Sequence, residues 1–205
     1  MNRDDVEIIE KKTKFKGFFR LDCYRLRHRL FEGGWSEVRS QEVFERGNAA
    51  AALLYDPDNN AVVLIEQFRP GAFTSDRGTP WLVEIVAGMV EDGEDVEQTI
   101  RREAIEESGS TILDIVPMVN VFASPGGSSE IVSLFCGRVD SRDVGGIHGH
   151  AVEGENIRVI VEPADIAFKR LRSGDIHNAI FVIALQWLEK HGDALRQTWL
   201  VQSTG

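Results

Sequence analysis

Cysteine is scarce in this 205-residue sequence, and apolar runs are short. The two cysteines, Cys23 and Cys136, form no metal-binding motif and indicate reduced thiols, as in a cytosol. Apolar stretches such as residues 179–185 are too short to span a bilayer, so we expect no membrane partner. The segment after Met1 is polar and acidic, unlike a secretory signal, and this predicts a cytoplasmic protein.

Positively charged residues are fewer than negatively charged ones. The sequence has 23 Lys and Arg and 33 Asp and Glu, so the net charge is −10. A general nucleic-acid binder normally carries a basic face, so nucleic acid is not an expected partner. Small phosphorylated substrates remain open if metal ions stand between them and the acidic side chains. The composition, 42% hydrophobic and 27% charged, is that of an ordinary globular protein of one domain with at most a small appendage.

The N-terminal part of the chain is predicted to form three strands. Partial alternation of apolar and polar residues places them at residues 6–9, 15–30 and 35–44, with a turn at residues 32–35. Three short strands bury little surface on their own, so they are expected to pack on the main domain or on a second subunit. We therefore divide the chain into a small antiparallel β-subdomain, residues 1–46, and a main domain, residues 47–205.

The main domain is predicted to alternate strands with a few helices, which is typical of an α/β fold of the α+β type. Asp, Pro and Asn between two apolar strands indicate a buried hairpin, and Gly174 and Gly192 are expected to end the last two helices. The predicted segments are strands at 48–54, 61–68, 81–86, 112–122, 130–139 and 157–161, loops at 69–79 and 140–155, and helices at 163–172 and 178–191.

The segment from Gly88 to Gly109 is predicted to be a loop followed by one helix, with Asp92 or Glu94 as the N-cap. Three carboxylates on this helix fall within an arc of roughly 100°. They are Glu103, Glu106 and Glu107. Like charges at this spacing repel by roughly 0.2–0.5 kcal/mol per pair. Either the face is simply solvated, with Arg101 and Arg102 neutralising part of it, or a hard divalent cation binds there through the carboxylate oxygens.

The second interpretation is favoured by a motif. Seven residues at fixed offsets over 22 positions resemble the Nudix box: Gly88, Glu94, Arg102, Glu103, Glu106, Glu107 and Gly109. This resemblance implies a Mg²⁺-dependent or Mn²⁺-dependent hydrolase of nucleoside diphosphates, with a helix–mixed β-sheet–helix sandwich over residues 47–205. It implies metal ligands at Glu103, Glu106, Glu107 and the Ala87 carbonyl, with Glu94 and Arg102 orienting them. Ser110 departs from the aliphatic residue that normally follows the last glycine.

Outside the box the sequence resembles the ADP-ribose pyrophosphatase subgroup of this family. Pro125 lies 16 residues after Gly109, and similar segments extend over most of residues 5–190. The resemblance implies ADP-ribose as substrate and a homodimer formed through the N-terminal strands, with an adenine pocket at the interface. The substrate-binding candidates that it implies are Phe18, Arg39, Glu42 or the neighbouring Gln41, Arg69, Met89, Gly127 and Glu130.

The acidic loop near residue 153 is the second catalytic candidate. The resemblance implies that Glu153 polarises the attacking water, and that Glu155 is an additional metal ligand. Which of the two accepts the proton stays open, and Glu106 and Arg102 are the other catalytic candidates.

Two rival functions also stay open: hydrolysis of another nucleoside diphosphate sugar such as GDP-mannose, or a Nudix sensor that binds metabolites without turnover. The intact carboxylates and Arg102 argue against a sensor.

Overall fold

The computed structural model describes residues 1–75 and 78–202, and for Glu153 and Gln202 it describes the backbone alone. The chain divides into two compact units. The first consists of Met1–Asn48 with Phe122–Val132, and the second of Ala49–Val121 with Ser133–Gly205. A boundary after residue 46 and a role of the first segment in dimerisation stay predictions. No helix within the described residues is long and apolar enough to cross a membrane.

The first unit is built on a three-stranded antiparallel sheet of β1 (Val6–Lys16), β2 (Arg20–His28) and β3 (Arg39–Glu45). The prediction of three strands is confirmed, but the predicted bounds are wrong. Residues 10–16, expected to lie outside the first strand or within the second, all belong to β1. Two register shifts in the β1–β2 ladder interrupt the alternation of side chains, which is why the sequence pattern broke there.

The second unit contains most of an eight-stranded sheet with the order β10-β11-β5-β4-β9-β8, in which β6 also pairs with β5 and β7 with β4. The predicted hairpin is confirmed, since the Asp56 carboxylate accepts the N–H groups of Asp58 and Asn59 at 2.9 and 3.0 Å and so closes the turn. The strands are β4 (Ala49–Asp56), β5 (Ala61–Phe68), β6 (Trp81–Glu84), β7 (Val86–Met89), β8 (Asp114–Phe122), β9 (Ile131–Arg138), β10 (Gly146–His148) and β11 (Ile157–Pro163).

Helices cover both faces of this sheet. Even-numbered residues of β4 pack in a core with Ile100 and Ala104 of helix α2 (Val96–Ser108), whereas Tyr55 on the opposite face contacts Trp199 of helix α4 (Ala179–Gln202). Two further helices are α1 (Pro70–Thr74) and α3 (Ala164–Ser173). The arrangement confirms the predicted α+β class with a sheet between helices.

Three predicted segments of the second unit need correction. Residues 81–86 form two strands instead of one, because the chain leaves β5 and pairs with β4 after Glu84. The predicted loop at 69–79 contains α1, and the loop at 140–155 contains β10 and a 3-10 turn, Ala151–Glu153.

Gly192 does not end the last helix, contrary to prediction. A glycine inside a helix costs about 1 kcal/mol relative to alanine, which is less than a large buried side chain contributes. Trp199 lies beyond Gly192, is fully buried, and donates its indole N–H to Asp114 at 2.8 Å. Arg196 donates to the Pro57 carbonyl at 2.6 Å. These contacts keep the chain helical through Gly192.

Candidate active site

Helix α2 carries the clustered carboxylates, and both of its ends are capped. Neither Asp92 nor Glu94 is the N-cap; it is Asp95, whose carboxylate accepts the N–H groups of Glu97 and Gln98 at 2.9 and 3.3 Å. Glu94 is held elsewhere, by Arg102, and this hydrogen bond lowers its pKa. Gly109 ends the helix with a positive φ of 70°, as predicted.

Glu103 lies against the backbone of Gly88 on the adjacent strand β7. A Cβ atom at Gly88 would lie only 2.0 Å from Glu103 Oε1, so any side chain at this position would displace the carboxylate. The requirement for glycine in the motif is therefore steric, because Gly88 allows the helix carboxylate to reach the strand. Burial raises the pKa of Glu103, although the nearby Arg102 opposes that shift.

Glu107 is the most deeply buried carboxylate of the group, with 3% exposure. Its Oε2 accepts the backbone N–H of Ala87 at 3.0 Å, and no other protein hydrogen bond to this side chain occurs in the described part of the chain. Burial raises the pKa of Glu107 to about 8, and the negative charges of Glu103 and Glu155 act in the same direction. Burial and the neighbouring negative charges thus both favour the protonated form of this carboxylate.

The carbonyl of Ala87 faces the same side as its N–H group. Ala87 lies opposite Ala51 in the β4–β7 ladder, yet its N–H donates to Glu107 instead of to β4. Within a strand the N–H and C=O groups of one residue point to the same side, so this carbonyl also points away from β4. An oxygen ligand from the strand is consequently available beside the helix carboxylates.

Arg102 is the main positive charge of the cluster. Its Nη1 donates to Glu103 Oε1 and to Glu106 Oε2, both at 2.8 Å, and its Nε lies 3.3 Å from Glu94 Oε1. The guanidinium therefore contacts three carboxylates at once. One cation shared by three carboxylates leaves a surplus of negative charge around Glu107.

The residues present suit a hard divalent cation. Carboxylate and carbonyl oxygens are the ligands that Mg²⁺ and Mn²⁺ accept, and Gly88 allows the Glu103 carboxylate to approach strand β7. Over residues 1–75 and 78–202, excluding the Glu153 side chain, no three His, Cys, Asp or Glu side chains already converge in a metal-binding geometry. Glu103 contacts Arg102, and Glu107 accepts the Ala87 N–H.

The acidic loop packs on the C-terminal half of α2. The Gly149 N–H donates to the Glu106 carbonyl at 3.1 Å, and His150 Nε2 lies 3.5 Å from Glu106 Oε1. Glu155 Oε2 accepts the His150 N–H at 3.0 Å, and the charge of Glu155 influences both Glu103 and Glu107. The structure thus brings Glu155 to the carboxylate cluster. Glu153 lies on the 3-10 turn of this loop, and its side chain falls outside the description.

Arg69 also belongs to the surroundings of Glu107. Its positive charge partly opposes the effect of burial on the Glu107 pKa. Arg69 Nε donates to Glu84 Oε2 at 2.8 Å, and Glu84 is itself 4% exposed. Met89, the other substrate-binding candidate of the second unit, is half-buried on β7 opposite Ala49.

The remaining substrate-binding candidates lie in the first unit. Phe18 is 87% exposed in the turn between β1 and β2, and Arg39 and Glu42 are exposed on β3. The Gly127 carbonyl accepts the Phe44 N–H at 2.8 Å. Glu130 is buried and forms an ion pair with Arg46 at 3.1 Å, so a partner already occupies one of its oxygens. These candidates keep the status of predictions.

Four residues that the structure places in these networks were missed by sequence reasoning. The sequence predicted Asp92 or Glu94 as the N-cap instead of Asp95, and it placed His150 in a loop without a role. Glu84 and Asn178 form a hydrogen-bonded chain with Arg69. A signal existed for Glu84, because it is a charged residue inside the apolar strand sequence at 81–86.

Comparison with known proteins is consistent with this site. Residues 45–179 match the NUDIX domain, and the chain belongs to that family. The chain is 50% identical over 197 residues to the ADP-ribose pyrophosphatase of Escherichia coli (strain K12), covering 96% of this chain and 94% of that protein. It is 41% identical over 200 residues to the ADP-ribose pyrophosphatase of Haemophilus influenzae, covering 97% and 92%.

Two more distant matches are named for other substrates. The GDP-mannose pyrophosphatase of Cronobacter sakazakii is 35% identical over 189 residues, covering 92% of this chain and 97% of that protein. The crystal structure of an ADP compounds hydrolase superposes with a TM-score of 0.69 at 19% identity, covering 92% of this chain and 96% of the other. The resemblance predicted from the sequence motif is confirmed, and the chain is a Nudix hydrolase.

Proposed function

We propose that this Nudix hydrolase cleaves the diphosphate of ADP-ribose into AMP and ribose 5-phosphate. The observation that carries the hydrolase chemistry is the carboxylate of Glu107, which is 3% exposed, lies on the helix that also bears Glu103, and accepts the Ala87 N–H. Relatives named ADP-ribose pyrophosphatase are 50% and 41% identical, against 35% for a relative named for GDP-mannose. This difference in identity favours ADP-ribose over GDP-mannose as the substrate.

The cofactor in this proposal is Mg²⁺, with Mn²⁺ as the alternative. The ligands would be the Ala87 carbonyl and the carboxylates of Glu103, Glu106, Glu107 and Glu155. A divalent ion of this kind, when bound, neutralises the diphosphate and lowers the pKa of a bound water. Arg102 holds Glu103 and Glu106 in place through its two contacts at 2.8 Å. An intact set of carboxylates with its orienting arginine favours an enzyme over a sensor.

The reaction replaces one bond to phosphorus with another. The oxygen of water forms a bond to one phosphorus, the bond from that phosphorus to the bridging oxygen breaks, and a carboxylate accepts the water proton. Arg69 donates to the diphosphate. Phe18, Arg39, Glu42, Met89, Gly127 and Glu130 complete the substrate-binding set in this proposal.

Glu153 is our proposed general base, and Glu155 is the alternative. Both belong to the loop that packs on α2 through Gly149 and His150. Removal of a general base typically lowers the rate by a factor on the order of 10²–10⁴. Glu153→Gln, Glu155→Gln and the double variant should be compared under saturating Mg²⁺. Loss of kcat in Glu155→Gln alone would assign the base to Glu155, and activity in all three would place the base elsewhere.

We also propose a cytoplasmic homodimer that uses the three-stranded sheet of the first unit. Exposed apolar side chains on this unit support an interface, and they include Val6, Ile8, Ile9, Phe15 and Phe18. Light scattering at micromolar concentration should give the mass of two chains. A fully active monomer under the same conditions would contradict the proposal.

The substrate is tested by a panel of nucleotide sugars with Mg²⁺ or Mn²⁺, with products separated by chromatography. We expect ADP-ribose to give the highest kcat/KM and to yield AMP and ribose 5-phosphate in equal amounts. A higher kcat/KM for GDP-mannose would show that ADP-ribose is not the preferred substrate, while the protein would still be a nucleotide-sugar hydrolase. Binding of ADP-ribose without any turnover would instead support the metabolite sensor.

A further inference from the structure

Arg69 is anchored by one nitrogen of its guanidinium. Its Nε donates to Glu84 Oε2 at 2.8 Å, and its Nη1 and Nη2 atoms have no hydrogen-bond partner within residues 1–75 and 78–202, apart from the undescribed Glu153 side chain. The backbone of Arg69 is also fixed, since its N–H donates to the Pro80 carbonyl at 2.8 Å and its carbonyl accepts the Phe73 N–H at 3.1 Å. The Nε atom and the backbone of Arg69 are therefore fixed, while its Nη1 and Nη2 atoms are available to a ligand.

Glu84 is in turn held from its other side. Its Oε1 accepts the Asn178 side-chain N–H at 2.6 Å, so each carboxylate oxygen has a donor. Asn178 is itself fixed as the cap of α4, because its Oδ1 accepts the Phe181 N–H at 3.1 Å and its carbonyl accepts the Val182 N–H at 3.1 Å. A continuous hydrogen-bonded chain thus runs from the first turn of α4 through β6 to Arg69.

The chemistry of this chain suits the orientation of an arginine for a diphosphate. A guanidinium has five N–H donors in a rigid plane, so fixing Nε determines where both terminal nitrogens point. Phosphate oxygens accept hydrogen bonds in pairs from such a fork. Arg69 lies near the carboxylate cluster, because Glu84, which it contacts, stands three residues before Ala87 along the chain from β6 to β7, and the charge of Arg69 acts on Glu107.

We propose that Glu84 and Asn178 are positioning residues that hold the Arg69 guanidinium for the diphosphate of the substrate. The inference rests on the proposed function, in which Arg69 binds that diphosphate. Glu84 does not touch the substrate in this account; it acts through Arg69. Its effect should appear in KM and leave kcat nearly unchanged, because an arginine that grips ground state and transition state alike contributes to uniform binding.

Glu84→Gln is the first test, because glutamine keeps the shape and removes one acceptor. An amide has a single oxygen, so it can accept from Arg69 or from Asn178, and its NH₂ group then faces the other donor. We expect KM for ADP-ribose to rise about 5-fold to 10-fold with kcat within about twofold of wild type. Arg69→Ala should raise KM by at least about tenfold, and the Arg69→Ala, Glu84→Gln double variant should equal Arg69→Ala alone.

Two further variants keep the test informative if Glu84→Gln folds poorly. Asn178→Ser keeps a capping hydroxyl and loses the donor to Glu84, so KM should rise about twofold to threefold. Arg69→Lys keeps the charge but lacks the planar fork that gives a phosphate two parallel hydrogen bonds while a third nitrogen holds Glu84, so KM should rise nearly as much as in Arg69→Ala. The matched control is Glu162→Gln, which weakens a pair with Arg170 at 3.3 Å elsewhere in the same unit and should leave KM unchanged.

The outcomes separate this inference from the proposed function. A wild-type enzyme that does not hydrolyse ADP-ribose would contradict the proposed function itself. If wild type is active but Glu84→Gln or, where that variant does not fold, Asn178→Ser leaves KM unchanged, the positioning role is wrong. An effect of either variant that persists in full in the Arg69→Ala background would show a purely structural role and would also overturn the inference.

Discussion

Two buried carboxylates in this molecule have opposite surroundings. Asp22 in the first unit is 0% exposed and is met by three donors: Thr13 at 2.7 Å and Lys11 and Arg20 at 2.9 Å each. Burial alone would raise the pKa of Asp22, but these donors hold it below its ordinary value. Glu107 in the second unit is almost as buried, has one backbone donor, and has a pKa raised to about 8.

The difference distinguishes a carboxylate whose charge the fold neutralises from one whose charge it does not. A buried charge that the fold itself neutralises needs nothing further, and Asp22 fixes the ladder between β1 and β2. A buried carboxylate left short of positive charge is costly unless a ligand supplies it. Glu107, beside Glu103 and close to the charge of Glu155, is of the second kind. The missing charge is what the proposed Mg²⁺ would bring.

The largest expected effect is the loss of turnover in Glu107→Gln. Removing the carboxylate charge removes a metal ligand, so we expect kcat to fall at least 100-fold, about 2.7 kcal/mol in transition-state stabilisation. The matched control is Glu97→Gln on the same helix. The Glu97 carboxylate lies 2.8 Å from Arg101 and outside the carboxylate cluster, so its loss should leave kcat unchanged. Circular dichroism should show both variants folded. Retention of more than about a tenth of the wild-type kcat would exclude the metal-ligand role of Glu107.

The second expected effect concerns the pH dependence of stability without metal. The folded-state pKa of Glu107 lies above its unfolded value, so the folded protein binds more protons between pH 4.5 and about 8. The free energy of unfolding in EDTA should therefore fall as pH rises through this range, by on the order of a few kcal/mol. Burial shifts the pKa of Glu103 in the same direction.

Chemical denaturation of wild type and Glu107→Gln at several pH values checks this predicted fall in the free energy of unfolding. In EDTA the variant should be the more stable protein near pH 8 and should show a shallower fall. Asp22 supplies the contrast, because its lowered pKa contributes stability that is lost only as pH falls below about 4. Equal slopes in wild type and Glu107→Gln above pH 5 would show that Glu107 does not titrate as proposed.

The smallest predicted effect concerns Ser110, where the chain departs from the aliphatic residue of the motif. Ser110 is buried and its Oγ has no partner among the described residues, whereas Ser108 Oγ donates to the Ala104 carbonyl at 2.6 Å. An unpaired buried hydroxyl costs about 1 kcal/mol or more. Ser110→Ala should therefore raise Tm by about 2–4 °C, and Ser108→Ala should lower it. A lower Tm for Ser110→Ala would mean that its hydroxyl is satisfied after all.

Local patterns predicted much of this fold and of its candidate site. The spacing of Glu103, Glu106 and Glu107 predicted that the three share one helical face, and the structure shows the steric reason for Gly88. The hairpin of β4 and β5 followed from the turn residues between two apolar strands. These features depend on residues close in sequence, which is why the sequence alone indicated them.

The features that sequence reasoning missed depend on contacts between distant residues. Glu84 and Asn178 are separated by 94 positions and meet only after folding. The helix continues through Gly192 because Trp199 packs against Tyr55 on β4, a contact that no local propensity indicates. The bounds of β1 were wrong because irregular pairing with β2 disrupts the alternation on which strand prediction relies.

The central claim is that the carboxylates of α2 bind a divalent cation, and Mn²⁺ titration followed by electron paramagnetic resonance tests it without any substrate. We expect wild type and Glu97→Gln to bind Mn²⁺ with the same affinity, and Mg²⁺ to displace it. Glu107→Gln should bind at least about tenfold more weakly, about 1.4 kcal/mol, because one ligand and one charge are lost. Equal Mn²⁺ affinity in wild type, Glu97→Gln and Glu107→Gln would contradict the account.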